Sequence, residues 1–190
     1  MSTPRYRVTV CRRPQCARFE VRGERDEIAA ALLAAGAPVP QQKNRSSENA
    51  ADLRVDWLGP RRFVVSAPLE VEQVLGATLR AAFEALPSAD VVCTSDMVVT
   101  FELAGAGAGE VLCQGTPIDI SLAAFAPGSV TTSDLWGIGA VIERPVDAPN
   151  SLRVTVDRAL AGYVEAWLME AAGMASELKP GVMATSGLRA

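Results

Sequence analysis

Hydrophobic and polar positions change their period several times along the chain, and these changes predict an alternation of short strands and helices. Apolar residues alternate with charged or polar ones in residues 5–11 and again in residues 17–22, with a short turn between the two runs. Period-two alternation is typical of a strand with one buried face, so the two runs predict a first hairpin with one apolar and one charged face. From Glu24 to Ala35 the apolar spacing becomes helical, which predicts the first helix.

A second hairpin is predicted around Trp57, one of only three tryptophans in the chain. Strand-like runs at residues 53–58 and 63–66 flank the dipeptide Gly59-Pro60. Glycine tolerates positive φ and proline fixes φ at about −65°, so a tight turn is the simplest interpretation. Trp57 then lies at the first corner, and we expect it to anchor the hairpin against the first long helix.

The remainder of the chain continues the same alternation. Its predicted helices cover residues 69–86 and 159–172, and its predicted strands cover residues 90–94, 97–103, 130–135, 139–143 and 152–156. Residues 38–51 are polar and predict a loop, whereas residues 173–190 lack periodicity and predict a C-terminal tail. Strand pairs precede a helix in each half, which favours antiparallel sheets with helices on one face.

These elements predict an α+β fold made of two ferredoxin-like β/α pieces with antiparallel sheets. Residues 1–172 are expected to form a single compact unit of two pseudo-repeated halves, about 1–95 and 96–172. Hydrophobic residues make up 49% of the sequence and aromatic residues only 5%, so the core has to be built mainly from Ala, Val and Leu.

Charge and hydropathy exclude several classes of partner. The formal net charge is −4, and the arginines that cluster in residues 5–25 are interleaved with acidic residues. A nucleic-acid-binding surface would need a basic face. No apolar run approaches the roughly 20 residues of a membrane span, and the first residues do not form the apolar segment of a signal peptide. We therefore expect a cytoplasmic protein that binds neither nucleic acid nor membranes.

The side chains used most often in catalysis are scarce. The chain contains no histidine, which removes the commonest general base and metal ligand. Cys11 and Cys16 are close in sequence, but Cys93 and Cys113 stand alone, so reduced thiols are favoured over a zinc site. Cys93 ends an apolar strand, and we expect it to be buried.

Two kinds of candidate site remain. The glycine-rich residues 105–109 follow a predicted strand, but their G-x-G-x-G spacing misses the third glycine of a dinucleotide loop, so a close-packed turn is favoured over phosphate binding. Asp96, Asp119 and Asp134 are candidates for carboxylate catalysis. Each lies next to an apolar strand, where aspartate also forms turns, and the structural role is favoured.

Residues 53–172 resemble a known family. Trp57-Leu58-Gly59-Pro60-Arg61-Arg62-Phe63-Val64-Val65 is similar to the W-L-G-P-D-E-W-L-L signature of the gamma subunits of heterotetrameric sarcosine oxidases. Further motifs of that family are matched in the same order by Thr94-Ser95-Asp96, Leu103-Ala104-Gly105, Ile118-Asp119-Ile120, Phe125-Ala126-Pro127-Gly128, residues 154–161 and Trp167-Leu168. The chain departs from the signature at Arg61-Arg62, where the family usually carries an acidic pair.

The resemblance implies a fold similar to the folate-binding aminomethyltransferases and a complex with alpha, beta and delta subunits. Such a complex oxidatively demethylates sarcosine to glycine, transfers the one-carbon unit to tetrahydrofolate and produces hydrogen peroxide. The resemblance places FAD, FMN, NAD, tetrahydrofolate and zinc in the partner subunits. It implies no catalytic, cofactor-binding or metal-binding residue in this chain, whose role is then structural.

Arg61 and Arg62, at the tip of the second hairpin, are the expected partner contact. Two alternatives to the sarcosine oxidase role stay open. In the first alternative, the chain is a gamma subunit of a related N-methyl amino acid dehydrogenase. In the second, it is a folate-binding protein of the aminomethyltransferase kind that uses Asp96 or Asp119 to orient a pterin.

Overall fold

The computed structural model describes residues 6–174 and shows short strands and helices throughout this range. The strands are β1 (Thr9–Arg12), β2 (Ala17–Arg22), β3 (Ser46–Glu48), β4 (Arg54–Gly59), β5 (Arg62–Ala67), β6 (Asp90–Cys93), β7 (Val98–Ala104), β8 (Val130–Leu135), β9 (Ile138–Glu143) and β10 (Ser151–Asp157). The helices are α1 (Arg25–Ala34), α2 (Glu72–Phe83), α3 (Ala108–Leu112) and α4 (Ala161–Ala171). The three long helices, the hairpin β4–β5 and the strands β8 and β9 confirm the sequence predictions. Strand β3 was not predicted and lies inside the predicted loop 38–51.

Two five-stranded antiparallel sheets share one strand order. The first, here called the N-terminal sheet, has the order β3-β4-β5-β2-β6. Along the chain, α1 follows β2 and α2 follows β5. Without the edge strand β3 it is the β-α-β-β-α-β arrangement of a ferredoxin-like fold. The second, the C-terminal sheet, has the order β8-β9-β10-β7-β1 and carries α3 and α4. The α+β class with two ferredoxin-like pieces is therefore confirmed.

The predicted first hairpin is wrong, because its two strands belong to different sheets. β1 pairs with β7, with Thr9 opposite Ala104, whereas β2 pairs with β5 and β6. β1 thus occupies beside β7 the position that β6 occupies beside β2. The alternating pattern predicts each strand and its two faces, but the neighbour of a strand is chosen by contacts far away in sequence. That residues 1–172 form one compact unit stays a prediction.

One face of each sheet packs against the helices of that sheet. The other face is directed towards the second sheet. On β5, Phe63 and Val65 are fully buried in the core formed with α1 and α2. Val64 points the other way, where it forms a small apolar cluster with Leu58 and with Val130 of the C-terminal sheet. The remaining positions on these inner faces are mostly polar or charged, and they enclose a groove between the sheets.

The structure corrects one prediction about the cysteines. Cys93 is exposed, as are Cys11, Cys16 and Cys113. The reason is that β6 is the edge strand of its sheet and most of its residues are exposed. An apolar strand sequence therefore did not imply burial at this position. The predicted tail, residues 173–190, lies outside the described residues except for Gly173 and Met174.

Candidate functional site: the hairpin tip, the inter-sheet groove and an aromatic face

Arg61 and Arg62, the predicted partner contact, have different surroundings. Arg61 is largely exposed and forms an ion pair with Glu24 at 2.9 Å. Arg62 is half-buried and its Nη2 donates to the Glu20 carboxylate at 2.9 Å, at the wall of the inter-sheet groove. Arg62 and Arg22 together hold the pKa of Glu20 below its usual value, although burial alone would raise it. Arg61 is thus available at the surface, whereas Arg62 is occupied within the chain.

Trp57 connects the β4–β5 hairpin with α1 through side-chain contacts. Its ring stacks on Phe63 with ring centroids 5.4 Å apart, and the Arg25 guanidinium of α1 lies 5.1 Å from the ring centroid. The indole Nε1 donates to the Gly59 carbonyl at 2.7 Å, which closes the turn. Stacking of a cation on an indole ring is favourable because the ring face is electron-rich. Trp57 therefore has a structural role in the N-terminal sheet.

The three candidate aspartates do not converge on a common site, and two of them stabilise turns. The Asp119 carboxylate accepts from the Ser121 backbone N–H at 2.9 Å, which lowers the pKa of this exposed side chain. The Asp134 carboxylate accepts from the Gly137 backbone N–H at 3.1 Å in the β8–β9 turn. Asp96 lies in the turn between β6 and β7, separate from both. None of the three lines the inter-sheet groove.

The glycine-rich residues 105–109 form a packed turn against the segment before β1. Gly105 has φ of +125°, and a Cβ placed on it would lie 2.4 Å from the Arg7 carbonyl oxygen. Asp119 and this turn line the same cavity of about 410 Å³. The nearby Arg144 guanidinium already donates to three carbonyls, those of Ile120, Phe125 and Pro149, at 2.6 to 2.7 Å. Close packing against residues 6–8 therefore explains Gly105 and Gly107.

A network of buried charges joins the two sheets, and the sequence analysis missed it. Arg54 of β4 donates through Nε to Asp56 at 2.8 Å and through Nη1 to Glu143 of β9. Glu143 also accepts from Arg153 of β10 at 3.2 Å. Burial alone would lower the pKa of the Arg54 guanidinium, but the charges of Asp56 and Glu143 outweigh it and raise the pKa above its usual value. Charged residues alternating with apolar ones in central strands were the available signal.

Arg18 is the least satisfied charge in the groove. Within residues 6–174 its guanidinium makes no hydrogen bond or ion pair, although Asp56 and Glu20 attract it from a distance. Burial lowers its pKa from the usual arginine value. It lines three adjoining cavities between the sheets, the largest of about 430 Å³, so part of its surface still faces open space. Across the groove lie Thr100 and Thr155, whose hydroxyls are 2.8 Å apart.

A second distinctive surface lies on the outer side of the C-terminal sheet. We call it the aromatic face and define it by Trp136, Leu160, Tyr163 and Trp167. The rings of Trp136 and Trp167 stack with centroids 6.0 Å apart, and Tyr163 meets Trp167 edge-on at 6.3 Å. Leu160, Tyr163 and Trp167 are 38%, 45% and 42% exposed. Large apolar side chains at helical spacing thus stay uncovered.

Comparison with known proteins decides the family. Residues 27–174 match the sarcosine oxidase, gamma subunit family. The chain belongs to this family. The resemblance detected from the ordered sequence motifs is thereby confirmed. No curated protein matches the sequence significantly.

Solved structures of other proteins have a fold similar to that of this gamma-subunit family member. A chain of the heterotetrameric sarcosine oxidase from Corynebacterium sp. U-96, in complex with pyrrole 2-carboxylate, is 23% identical, with a TM-score of 0.79 over 90% of this chain and 88% of that one. Aminomethyltransferase T of the glycine cleavage system from Bartonella henselae is 16% identical, with a TM-score of 0.66 over 85% of this chain and 45% of that one. At these identities the comparison shows a common fold.

Neither a membrane-spanning helix nor a cluster of metal-binding side chains occurs in residues 6–174. No helix in residues 6–174 has both the length and the hydropathy needed to cross a bilayer. In the same range, no three His, Cys, Asp or Glu side chains are grouped closely enough to hold a metal ion.

Proposed function

We propose that this chain is a non-catalytic gamma subunit of a heterotetrameric sarcosine oxidase and that its role is structural. The complex would demethylate sarcosine oxidatively to glycine, transfer the one-carbon unit to tetrahydrofolate and produce hydrogen peroxide. The observation that carries the proposal is the family match over residues 27–174. The chemistry of the chain agrees with it, because Asp119 and Asp134 serve turns and the inter-sheet charges are largely paired with one another.

The proposal assigns the reactive groups to the other chains. FAD, FMN, NAD, tetrahydrofolate and zinc would belong to the alpha, beta and delta subunits, and the complex would be cytoplasmic. A rigid subunit contributes to such a complex by burying surface against its partners and holding them in register. The identity of the amine would then be decided by a partner chain, so a complex that oxidises another N-methyl amino acid by the same route is the nearest alternative. Assaying the purified complex with sarcosine and with longer N-methyl amino acids separates the two.

Co-expression with the partner chains tests the structural role. We expect the four chains to purify as one complex and Arg61→Glu to weaken it by up to about tenfold, since a reversed charge at an interface rim mainly slows association. Folding is expected to be unchanged because Arg61 is exposed and its pair with Glu24 is worth little. Native mass spectrometry and association kinetics at low and high salt measure the effect.

The matched control for this test is Arg80→Glu, which changes an exposed charge on α2. Complex yield and association rate should stay as in the wild type for this variant. If Arg61→Glu behaves like Arg80→Glu, the hairpin tip is not a partner contact. If the four wild-type chains do not assemble at all, the proposed subunit role is wrong.

Folate binding is a second candidate function, and one observation favours it. The unpaired Arg18 guanidinium faces open space in the inter-sheet groove, and the glutamate carboxylates of tetrahydrofolate are suitable partners for it. Asp96 and Asp119, the residues first considered for a pterin, lie outside this groove. Titration calorimetry of the chain with tetrahydrofolate should then give a binding signal that Arg18→Ala weakens by about tenfold or more. Absence of heat at high ligand concentration, with Arg18 intact, rules this candidate out.

A further inference from the structure

The C-terminal layer exposes an aromatic surface whose side chains are held rigidly in place. Trp136 has a positive φ of 50°, which is rare and costly for a bulky residue. Its backbone N–H donates to the Gly115 carbonyl at 2.8 Å, and its carbonyl accepts from the Tyr163 hydroxyl at 3.0 Å. A Cβ on Gly115 would lie 2.3 Å from the Trp136 ring, so only glycine lets the ring lie flat there. These contacts with Gly115 and Tyr163 together fix the position of Trp136.

Helix α4 and the turn before it carry more large apolar side chains than are buried against the C-terminal sheet. Val164 and Leu168 are fully buried against the C-terminal sheet. Leu160, Tyr163 and Trp167, at spacings of three and four residues, form an adjacent stripe that no described element covers. Half-exposed tryptophan and tyrosine side chains that are already ordered lose little entropy on binding, which is why such residues dominate the energetics of protein interfaces.

The charge around the aromatic face indicates what kind of surface it would meet. The exposed charges on α3, on α4 and at the end of β8 are acidic: Glu110 on α3, Asp134 on β8, and Glu165 and Glu170 on α4. The sequence contains no lysine or arginine between Arg80 and Arg144. Arg158, just before α4, donates to the Asp96 carbonyl and so is bound to the β6–β7 turn. A second copy of this chain would place like charges together around the rings, which disfavours self-association.

We infer that the aromatic face is a docking surface for another subunit of the complex, which contacts it through an apolar segment flanked by lysine or arginine. The inference rests on the proposed subunit role and adds the surface, the charge of the partner and the anchoring residues. Trp167 and Tyr163 supply the apolar anchor, and Glu170, one turn beyond Trp167, supplies the acidic rim. The hairpin tip around Arg61 lies on the N-terminal sheet, so the two surfaces are distinct.

Two variants of α4 test the inference in the co-expressed four-chain complex. Leu160→Asp adds a charge to the apolar stripe, and Glu170→Lys reverses the charge at its rim while keeping a good helix former. We expect each to weaken incorporation of this chain by at least about tenfold, and the wild-type association rate to fall as salt is raised. Trp167→Ala should weaken it further, and its melting temperature shows whether loss of the stacking with Trp136 also affects folding.

The matched control is Glu84→Lys, which makes the same change of charge at an exposed position at the end of α2. It should leave assembly unchanged. If the wild-type chains assemble and both α4 variants assemble equally well, the inference is wrong while the subunit role stands. If ultracentrifugation of this chain alone shows a dimer that Leu160→Asp dissociates, the face binds a second copy and the inference is overturned. Failure of the wild-type complex itself overturns the subunit role and the inference together.

Discussion

Arg54→Met is expected to lower the free energy of unfolding by about 3 to 5 kcal/mol, the range for removing one partner from a buried ion pair. Arg54 is only 8% exposed and holds two carboxylates, Asp56 on its own strand and Glu143 on the facing sheet. Methionine fills similar space but leaves both carboxylates buried without their main counter-charge. Urea denaturation of the wild type and the variant measures the difference.

The control for Arg54 is Arg22→Met, which removes an exposed partner of Glu20. Exposed ion pairs contribute little, so this change should cost less than about 1 kcal/mol. Adding Asp56→Leu and Glu143→Leu to Arg54→Met should restore much of the lost stability, because an apolar replacement avoids the cost of unpaired charge. Equal losses for Arg54→Met and Arg22→Met would show that the inter-sheet network does not hold the sheets together.

The stability of the Arg54→Met variant should also depend on pH in a defined direction. Burial already raises the pKa of the Glu143 carboxyl above its ordinary value of 4.5, and Arg54 opposes this rise. Without Arg54 the folded-state pKa rises further above the unfolded value. Protonated Glu143 then stabilises the fold, a contribution that is complete below about pH 4.5 and is lost as the pH rises through the folded-state pKa. The deficit relative to the wild type should be larger at pH 8 than at pH 5.

Gly105→Val is expected to destabilise the chain by roughly 3 to 5 kcal/mol, from backbone strain and overpacking together. At φ of +125° an L side chain is strained, and its Cβ would meet the Arg7 carbonyl oxygen at 2.4 Å and the Val8 Cα at 3.3 Å. The clash falls where the chain enters β1, so β1 should separate from β7. Hydrogen exchange of the β1 and β7 amides should accelerate more than exchange in the N-terminal sheet.

Gly109→Ala is the matched control for Gly105→Val. Gly109 lies in α3, and a Cβ there would meet nothing within 4 Å. Alanine has a higher helix propensity, so this change should be neutral or stabilise by up to about 1 kcal/mol. A Gly105→Val protein with wild-type stability and unchanged exchange in β1 would mean that the close approach to Arg7 is not needed for the fold.

Much of the fold was readable from local pattern. Gly59-Pro60 between two alternating runs was enough to predict the β4–β5 hairpin, and helical spacing in residues 159–172 was enough to predict α4. These features depend on residues a few positions apart. The order of the motifs from Trp57 to Leu168 was likewise sufficient to identify the family.

The candidate site was much less predictable. An apolar position in an edge strand, such as Cys93, looks the same in sequence as one in a central strand, and the structure shows it exposed. Leu160, Tyr163 and Trp167 matched a helical stripe, yet only the neighbouring Val164 and Leu168 are covered by the sheet. A periodic pattern indicates which residues share a face, but it contains no information on how much of that face another element covers.

The sequence by itself therefore determined most of the elements, the two faces of the alternating strands and the family, because short-range spacing and ordered motifs encode all three. Only the tertiary structure decided that β1 joins β7, a pairing of residues such as Thr9 and Ala104 that is set by long-range contacts. It also decided that Arg54 meets Glu143 in a groove between two sheets, where charged strand faces would otherwise be expected to face water. Those contacts, together with the uncovered rings of α4, define the surfaces on which a function in assembly can now be tested.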